Sequence, residues 1–147
     1  MEMNPNAVEV LLVEDNLDDA ELTIRELKKH RLANHLVHLR DGQEALDFLF
    51  GTSGDIRETL PVPKVILLDI QMPRVNGLEV LQCIRSRPRT KQIPVVVLTS
   101  SGQDPDIQKC YALGANSYIV KPVDFEGFSS VVKNLGFYWL LLNHGPT

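Results

Sequence analysis

Carboxylates, a hydroxyl and an ammonium group follow four aliphatic runs of the sequence. "VLLVED" ends in Glu14 and Asp15, "VILLD" in Asp69, "VVVLT" in Thr99 and "YIVK" in Lys121. Clustered carboxylates repel one another unless one is protonated or a cation neutralises them, and oxygen ligands suit a hard ion such as Mg²⁺. Carboxylates beside a lysine also suit a phosphoryl group, which one carboxylate can accept as an acyl phosphate. Asp69 is the predicted acceptor, because the "IQMP" turn that follows exposes it.

Each of these residues also has an ordinary structural explanation. The pair Glu14-Asp15 fits a cap or a solvated turn, and Asp69 fits the N-cap of a turn. Thr99 alone is a normal strand residue, and Lys121 alone is a normal surface lysine. What favours a site is that all of them follow strands, in this order, in one architecture.

Five short aliphatic runs predict the strands that must position these residues. They are residues 8–15, 35–39, 65–69, 94–100 and 117–122. Three runs are nearly continuous rather than alternating, which is typical of parallel strands covered on both faces. A doubly wound α/β fold is therefore predicted, with a five-stranded parallel sheet in the flavodoxin-like order 2-1-3-4-5 and five helices in a three-layer sandwich. In such folds a ligand binds beyond the carboxyl ends of the strands.

Helical patterns lie between the predicted strands. "DGQE" and "NGLE" each place an Asx cap three residues before a glutamate, which resembles a capping box. In the first helix Leu17 should share the apolar face, and the fourth helix should run from an Asp104 N-cap to Gly114 with Tyr111 on its apolar face. The loop at residues 51–63 is long for such a fold and is expected to be a surface segment.

Composition and charge limit the class of protein. The 147 residues include 44% hydrophobic and 23% charged residues, with a formal net charge of −4. These values predict one domain over residues 1–147 and argue against nucleic-acid binding. No signal-like leader is present, and the longest apolar run, "FYWLLL", is too short to span a membrane. We therefore expect a cytoplasmic protein, with Cys83 and Cys110 reduced.

Four motifs together resemble the receiver domain of two-component response regulators, a CheY-like family. They are "LLVEDN", "ILLDIQMPRVNGLEVL", "IPVVVLTSS" and "GANSYIVKPVD", and the resemblance spans about residues 8–134. It implies that Asp69 takes a phosphoryl group from a sensor histidine kinase or a histidine phosphotransfer protein. It also implies that Asp15 and Asp69 bind Mg²⁺ with help from Glu14 and the backbone carbonyl of Gln71, and that Mn²⁺ or Ca²⁺ can substitute. The protein would be a signalling phosphoprotein that assists its own phosphorylation and dephosphorylation, and not an enzyme.

The resemblance also implies how the signal leaves the site. Lys121 would contact the phosphoryl oxygens, and its bond to Pro122 would be cis. Thr99 would move to the phosphoryl group, and Tyr118 would rotate inward into the vacated space. Gln71 and Ser101 occupy positions that tune the lifetime of the phosphoryl group.

The C-terminal helix, predicted at about residues 124–142, carries two apolar stripes. One stripe can face the sheet, but Phe137, Tyr138, Leu140 and Leu141 lie off that face. A second apolar patch suggests an interface, so we expect a homodimer contact or a kinase-docking surface. The alternative is that the tail folds back over its own body. Because the chain stops soon after this helix, we expect no separate output domain.

The length, the long loop and the aromatic tail resemble single-domain regulators paired with bacterial phytochrome kinases, so a phytochrome-type kinase is an expected partner.

Three other classes of protein share parts of this pattern, and particular residues argue against each of them. An aspartate-dependent phosphatase usually has a second acid two residues after its nucleophile, where this chain has Gln71. A flavodoxin-like cofactor binder needs a phosphate-binding loop after the first strand, where "EDNLDD" repels phosphate, and no GxxxxGK[ST] loop is present. A pseudo-receiver that only binds partners would not need Asp15, Asp69, Thr99 and Lys121 together.

Overall fold

The computed structural model describes residues 8–30, 35–51, 62–72, 75–102 and 105–134. Five parallel strands form one sheet in the order β2-β1-β3-β4-β5, which confirms the predicted fold. The strands are β1 (Val10–Val13), β2 (Leu36–Leu39), β3 (Val65–Asp69), β4 (Val95–Thr99) and β5 (Ser117–Val120). Each is shorter than or equal to its predicted run, so Glu14, Asp15 and Lys121 stand just beyond the sheet.

The helices alternate with the strands as predicted. They are α1 (Leu17–Lys29), α2 (Gly42–Phe50), α3 (Gly77–Ser86), α4 (Asp106–Ala112) and α5 (Phe125–Asn134). No described helix has both the length and the apolar composition needed to cross a bilayer.

The Asx caps of α2 and α3 form as the sequence predicts. Asp41 accepts a hydrogen bond from the backbone N–H of Glu44 at 2.8 Å, and Asn76 accepts one from that of Glu79 at 3.1 Å. The Glu44 carboxylate in turn accepts from the N–H of Arg40 at 2.8 Å, one residue before the cap. Each cap satisfies backbone donors that an α-helix leaves open at its start.

The start of α4 differs from the prediction by one position. The helix begins at Asp106, and Pro105 precedes it with helical dihedral angles but no side-chain cap. Asp104, the predicted cap, lies outside the described residues. Gly114 does follow the helix end, with a φ of +104° that glycine adopts without strain.

Two layers of apolar side chains cover the sheet. Leu12 and Leu67 face α1 and α5, where Phe128 is fully buried, while Leu11 and Leu68 face α2, α3 and α4. All four of these leucines are 0% exposed, as expected for parallel strands with helices on both sides.

Two helical residues predicted to be buried are exposed. Leu17 is 57% exposed, because the first turn of α1 stands beyond the last residue of β1 and has no sheet beneath it. Tyr111 is 46% exposed and contacts Tyr118 edge-to-face, whereas Ile107 and Cys110 carry the buried side of α4. The apolar stripes of these short helices are therefore narrower than their spacing suggests.

The last helix begins one residue after its predicted start. Asp124 caps it by accepting from the N–H of Gly127 at 2.6 Å. Residues 135–147 lie outside the described residues, and with them the proposed interface side chains Phe137, Tyr138, Leu140 and Leu141. The dimer and docking predictions for this tail stay predictions.

Arg85, at the end of α3, joins two separate loops. Its guanidinium donates to the carbonyl of Gly114 at 2.9 Å, to that of Ile93 at 2.7 Å and to the Asn116 side chain at 2.8 Å. Asn116 also accepts from the N–H of Val95, the first residue of β4. Burial lowers the pKa of Arg85, although it stays charged at neutral pH. This network ties α3 to the segments that enter β4 and β5.

We predict that Arg85→Met lowers the free energy of unfolding by about 1–3 kcal/mol, because buried acceptors lose their donor. Denaturant titration measures the change. Arg25→Met is the control, since the partner of Arg25 among the described residues is exposed Glu21 on α1, and such pairs contribute about 1 kcal/mol or less. Equal losses of stability in the two variants would contradict a stabilising role of the Arg85 network.

Candidate functional site

The carboxyl ends of four strands meet at one edge of the sheet and bring the predicted residues together. Glu14 and Asp15 follow β1, Asp69 ends β3, Thr99 ends β4 and Lys121 follows β5. Because β3 lies between β1 and β4 in the sheet, Asp69 is central among them.

Glu14, Asp15 and Asp69 form an acidic cluster, the name used below for these three residues. One carboxylate oxygen from each lies within 4.8 Å of the other two. Glu14 is 0% and Asp69 3% exposed, whereas Asp15 faces solvent. Solvent therefore reaches the acidic cluster from the side of Asp15.

The Lys121 ammonium contacts three carboxylates. Its Nζ lies 3.0 Å from Glu14 Oε1, 3.2 Å from Asp69 Oδ2 and 3.2 Å from Asp19 Oδ2. The sequence analysis did not identify Asp19, which lies in the first turn of α1. The sequence does contain a pointer to Asp19. Because α1 begins only two residues after Asp15, the side chains of its first turn lie close to the site.

Burial raises the pKa of the Glu14 carboxyl to about 8, and neighbouring Asp69 acts in the same direction while Lys121 opposes the rise. For the Lys121 ammonium, burial lowers the pKa, but the hydrogen bond with Glu14 and the charges of Asp69 and Glu14 outweigh burial and raise the pKa above its ordinary value. The cluster therefore holds more negative charge than one ammonium balances. A proton on Glu14 or a bound cation relieves that repulsion.

The turn after β3 fixes the Asp69 carboxylate. The backbone N–H of Gln71 donates to Asp69 Oδ1 at 2.9 Å, while Lys121 contacts Oδ2. Gly77 makes this turn possible, because a Cβ at that position would clash with the Asp69 carbonyl and Ile70 Cα. The backbone packs closely here, so the orientation of Asp69 is set by main-chain geometry.

A hydrogen bond from His38 supports the backbone of Glu14. The Nε2 of His38 lies 2.8 Å from the Glu14 carbonyl oxygen, so that nitrogen carries the proton. Sequence reasoning found no role for His38, since a contact between side chain and backbone leaves no pattern of residue types.

Thr99 and Tyr118 are placed differently with respect to the site. Thr99 is 1% exposed, and its hydroxyl donates to the Ser101 carbonyl at 3.0 Å. Tyr118, half-buried on β5, packs toward the α2, α3 and α4 face. The Lys121–Pro122 peptide bond is cis.

An open pocket of roughly 210 Å³ lies above Asp69. Its walls come from all the strand ends described above and from the start of α1: Asp15, Asn16, Asp19, Asp69, Gln71, Thr99, Ser100 and Lys121. Ser101 and Tyr118 are not part of this described lining. The candidate metal ligands are the carboxylate oxygens of the acidic cluster, and the exposed carboxylate of Asp15 lies at the opening of the pocket. Oxygen ligands of this kind fit a hard divalent cation.

The family described as "Response regulator receiver domain" matches residues 10–133. The chain belongs to this family. The receiver domain has the CheY-like fold and the two-component signalling class that the sequence motifs indicate, as predicted.

Three relatives are similar over nearly their whole length. The response regulator Rcp1 of Synechocystis sp. is 39% identical over 95% of this chain and 92% of its own. The solved bacteriophytochrome response regulator AtBRR is 46% identical, with a TM-score of 0.81 over 95% of this receiver domain and 100% of that chain. The solved phosphorylated cyanobacterial phytochrome response regulator RcpA is 35% identical, with a TM-score of 0.72 over 96% and 99% of the two chains.

We predict that Mg²⁺ raises the midpoint of thermal unfolding of this receiver domain, by an amount that corresponds to about 2.7 kcal/mol at a concentration 100 times the dissociation constant. In Asp15→Asn the Mg²⁺-dependent shift should largely disappear, while stability in EDTA should not fall, since one like-charge repulsion is removed. Differential scanning fluorimetry with and without Mg²⁺ measures both effects.

Asp18→Asn is the control for this measurement, because Asp18 is exposed on the same helical turn as Asp19 and outside the acidic cluster. An Asp15→Asn protein that keeps the full Mg²⁺ shift would contradict the assignment of the cluster.

Proposed function

We propose that this receiver domain is a phosphorylatable switch in which Asp69 accepts a phosphoryl group from phosphohistidine on a sensor histidine kinase. The observation that carries the proposal is the position of Asp69. Its carboxylate lies at the base of an open pocket, held by the Gln71 N–H on one oxygen and by Lys121 on the other.

The transfer forms one bond and breaks one. A carboxylate oxygen of Asp69 attacks phosphorus, the P–N bond to the kinase histidine breaks, and the departing nitrogen keeps the bonding electron pair. Because the other ring nitrogen of the phosphohistidine carries a proton, the histidine leaves as neutral imidazole. The product is an aspartyl phosphate. The Lys121 ammonium faces the oxygen-rich pocket and can stabilise the charge of the phosphoryl oxygens during transfer.

Mg²⁺ would be held by the carboxylates of Glu14, Asp15 and Asp69 and by the backbone carbonyl of Gln71, with Mn²⁺ or Ca²⁺ as substitutes. When bound, the ion neutralises negative charge on the phosphoryl oxygens. The solved Mn²⁺-bound form of Rcp1, 36% identical with a TM-score of 0.70 over 95% of this chain and 99% of its own, supports this part of the proposal.

Phosphorylation would switch the conformation through Thr99. Its hydroxyl donates to the Ser101 carbonyl, and a phosphoryl oxygen on Asp69 is a stronger acceptor that competes for it. Movement of Thr99 would open the space into which Tyr118 rotates. Gln71 at the pocket wall and Ser101 behind Thr99 would then tune how long the phosphoryl group persists.

The output would be protein–protein interaction by a single-domain, cytoplasmic response regulator. The near-complete coverage of Rcp1, AtBRR and RcpA supports this arrangement, and their similarity makes a phytochrome-type histidine kinase the proposed partner. A homodimer or a docking contact through the C-terminal tail is part of the same proposal.

The direct test is incubation with Mg²⁺ and acetyl phosphate, followed by intact-mass measurement. Wild type should gain a single phosphoryl group, and Asp69→Asn should gain none because the amide is not a nucleophile for phosphorus. Asp18→Asn should react like wild type. An adduct that survives in Asp69→Asn, or continuous turnover of unrelated phosphate esters, would overturn the proposal.

A second prediction concerns the switch. Thr99→Ala should still be phosphorylated, but the Tyr118 ring should keep its unphosphorylated environment because the hydroxyl that couples the two is gone. NMR chemical shifts of the Tyr118 ring, recorded with and without the phosphodonor, report the change. Thr99→Ser should restore the response; a full Tyr118 response in Thr99→Ala would argue against coupling through Thr99.

A further inference from the structure

Asp19 lies at the mouth of the pocket and is not part of the acidic cluster. Its Oδ2 is 3.2 Å from the Lys121 Nζ, and its side chain is 34% exposed, compared with 15% for Lys121. The carboxylate therefore covers the solvent side of the lysine, while Glu14 and Asp69 contact it from the interior.

The backbone of Asp19 is held on both sides. Its N–H donates to the Asn16 side chain at 3.0 Å, and its carbonyl accepts from the Thr23 hydroxyl at 2.9 Å. The carboxylate is thus carried on a fixed helical turn and does not sit on a free loop. Its place next to Lys121 follows from the capped start of α1.

The Lys121 ammonium donates hydrogen bonds to Glu14 and Asp69 and forms an ion pair with Asp19. An ammonium group has three N–H bonds, and three carboxylates lie within 3.2 Å of Nζ. The oxygens of an incoming phosphodonor compete with these carboxylates for the ammonium group, and Asp19 is the most exposed of the three. The donor must also approach a negative charge at the pocket opening.

We propose that Asp19 is a specificity-determining residue that disfavours phosphodonors with an anionic leaving group and reserves Asp69 for nitrogen-linked donors. This inference rests on the proposed function of Asp69. In acetyl phosphate the P–O bond breaks and acetate leaves with the electron pair. In phosphoramidate the P–N bond breaks and the already protonated nitrogen leaves as ammonia. In both cases the new bond joins Asp69 to phosphorus.

The two phosphodonors differ in net charge, and the Asp19 carboxylate at the pocket opening interacts with that charge. Acetyl phosphate carries an additional net negative charge, which the Asp19 carboxylate repels. The protonated nitrogen of phosphoramidate, like that of a protonated phosphohistidine, lowers the net charge and is attracted. Asp19 therefore changes the ratio of the two rates, an effect that a purely structural role would not produce.

The experiment measures initial rates of Asp69 phosphorylation by acetyl phosphate and by phosphoramidate, with Mg²⁺ saturating for each variant. Asp19→Asn should accelerate the acetyl phosphate reaction by about twofold to fivefold, the range for loss of one partly exposed charge contact, and the phosphoramidate reaction less. The ratio of phosphoramidate to acetyl phosphate rates should fall. Added salt should narrow the difference between Asp19→Asn and wild type.

Two further variants complete the design. Asp18→Asn removes the same charge from the same helical turn but lies outside the described lining of the pocket, so its rate ratio should match wild type. Asp19→Glu keeps the charge and should restore most of the wild-type ratio.

Equal ratios in Asp19→Asn, Asp18→Asn and wild type would overturn the inference while leaving Asp69 phosphorylation intact. Absence of any adduct on wild-type protein with either donor would instead overturn the proposed function itself.

Discussion

The structure depends on the balance between one ammonium group and the carboxylates around it. Lys121 contacts Glu14 at 3.0 Å and both Asp69 and Asp19 at 3.2 Å, while Asp15 stands at the open edge. In the described site, three carboxylates thus contact one lysine, and a fourth, Asp15, lies beside two of them. Such a cluster is costly for folding, because like charges at this separation raise each other's free energy in a partly buried place. A proton or a bound divalent cation would relieve this repulsion.

The topology of the fold brings these charged side chains together. Parallel strands are buried on both faces, so polar side chains can gather only where the strands end. Glu14 and Asp69 project from neighbouring strands, and the close packing at Gly77 and the Gln71 N–H set the orientation of Asp69. In the same strand order, Lys121 follows the edge strand β5 and its side chain reaches Asp69. The placement and orientation of Asp69 are thus consequences of topology combined with one tight turn.

The sequence was sufficient for the features that repeat locally. Short aliphatic runs identified all five strands, and the Asx caps of α2 and α3 form as their spacing predicts. The residues missed, Asp19, His38 and Arg85, act through contacts that depend on three-dimensional placement: a helical turn folded back on a site, a bond to a backbone carbonyl, and a bridge between loops. For Leu17 the sequence pattern was misleading. Its helical spacing predicts burial, but the residue is exposed because β1 ends before the first turn of α1 and leaves no sheet beneath it.

The central claim is that Asp69 alone receives the phosphoryl group in this charge-crowded pocket. After transfer from a phosphorylated histidine kinase, reduction with borohydride converts an aspartyl phosphate to homoserine, which peptide mass spectrometry locates. The account predicts homoserine at position 69 and an unchanged Asp at positions 15 and 19. Homoserine at another position, or none in protein that carries the phosphoryl group, would contradict it.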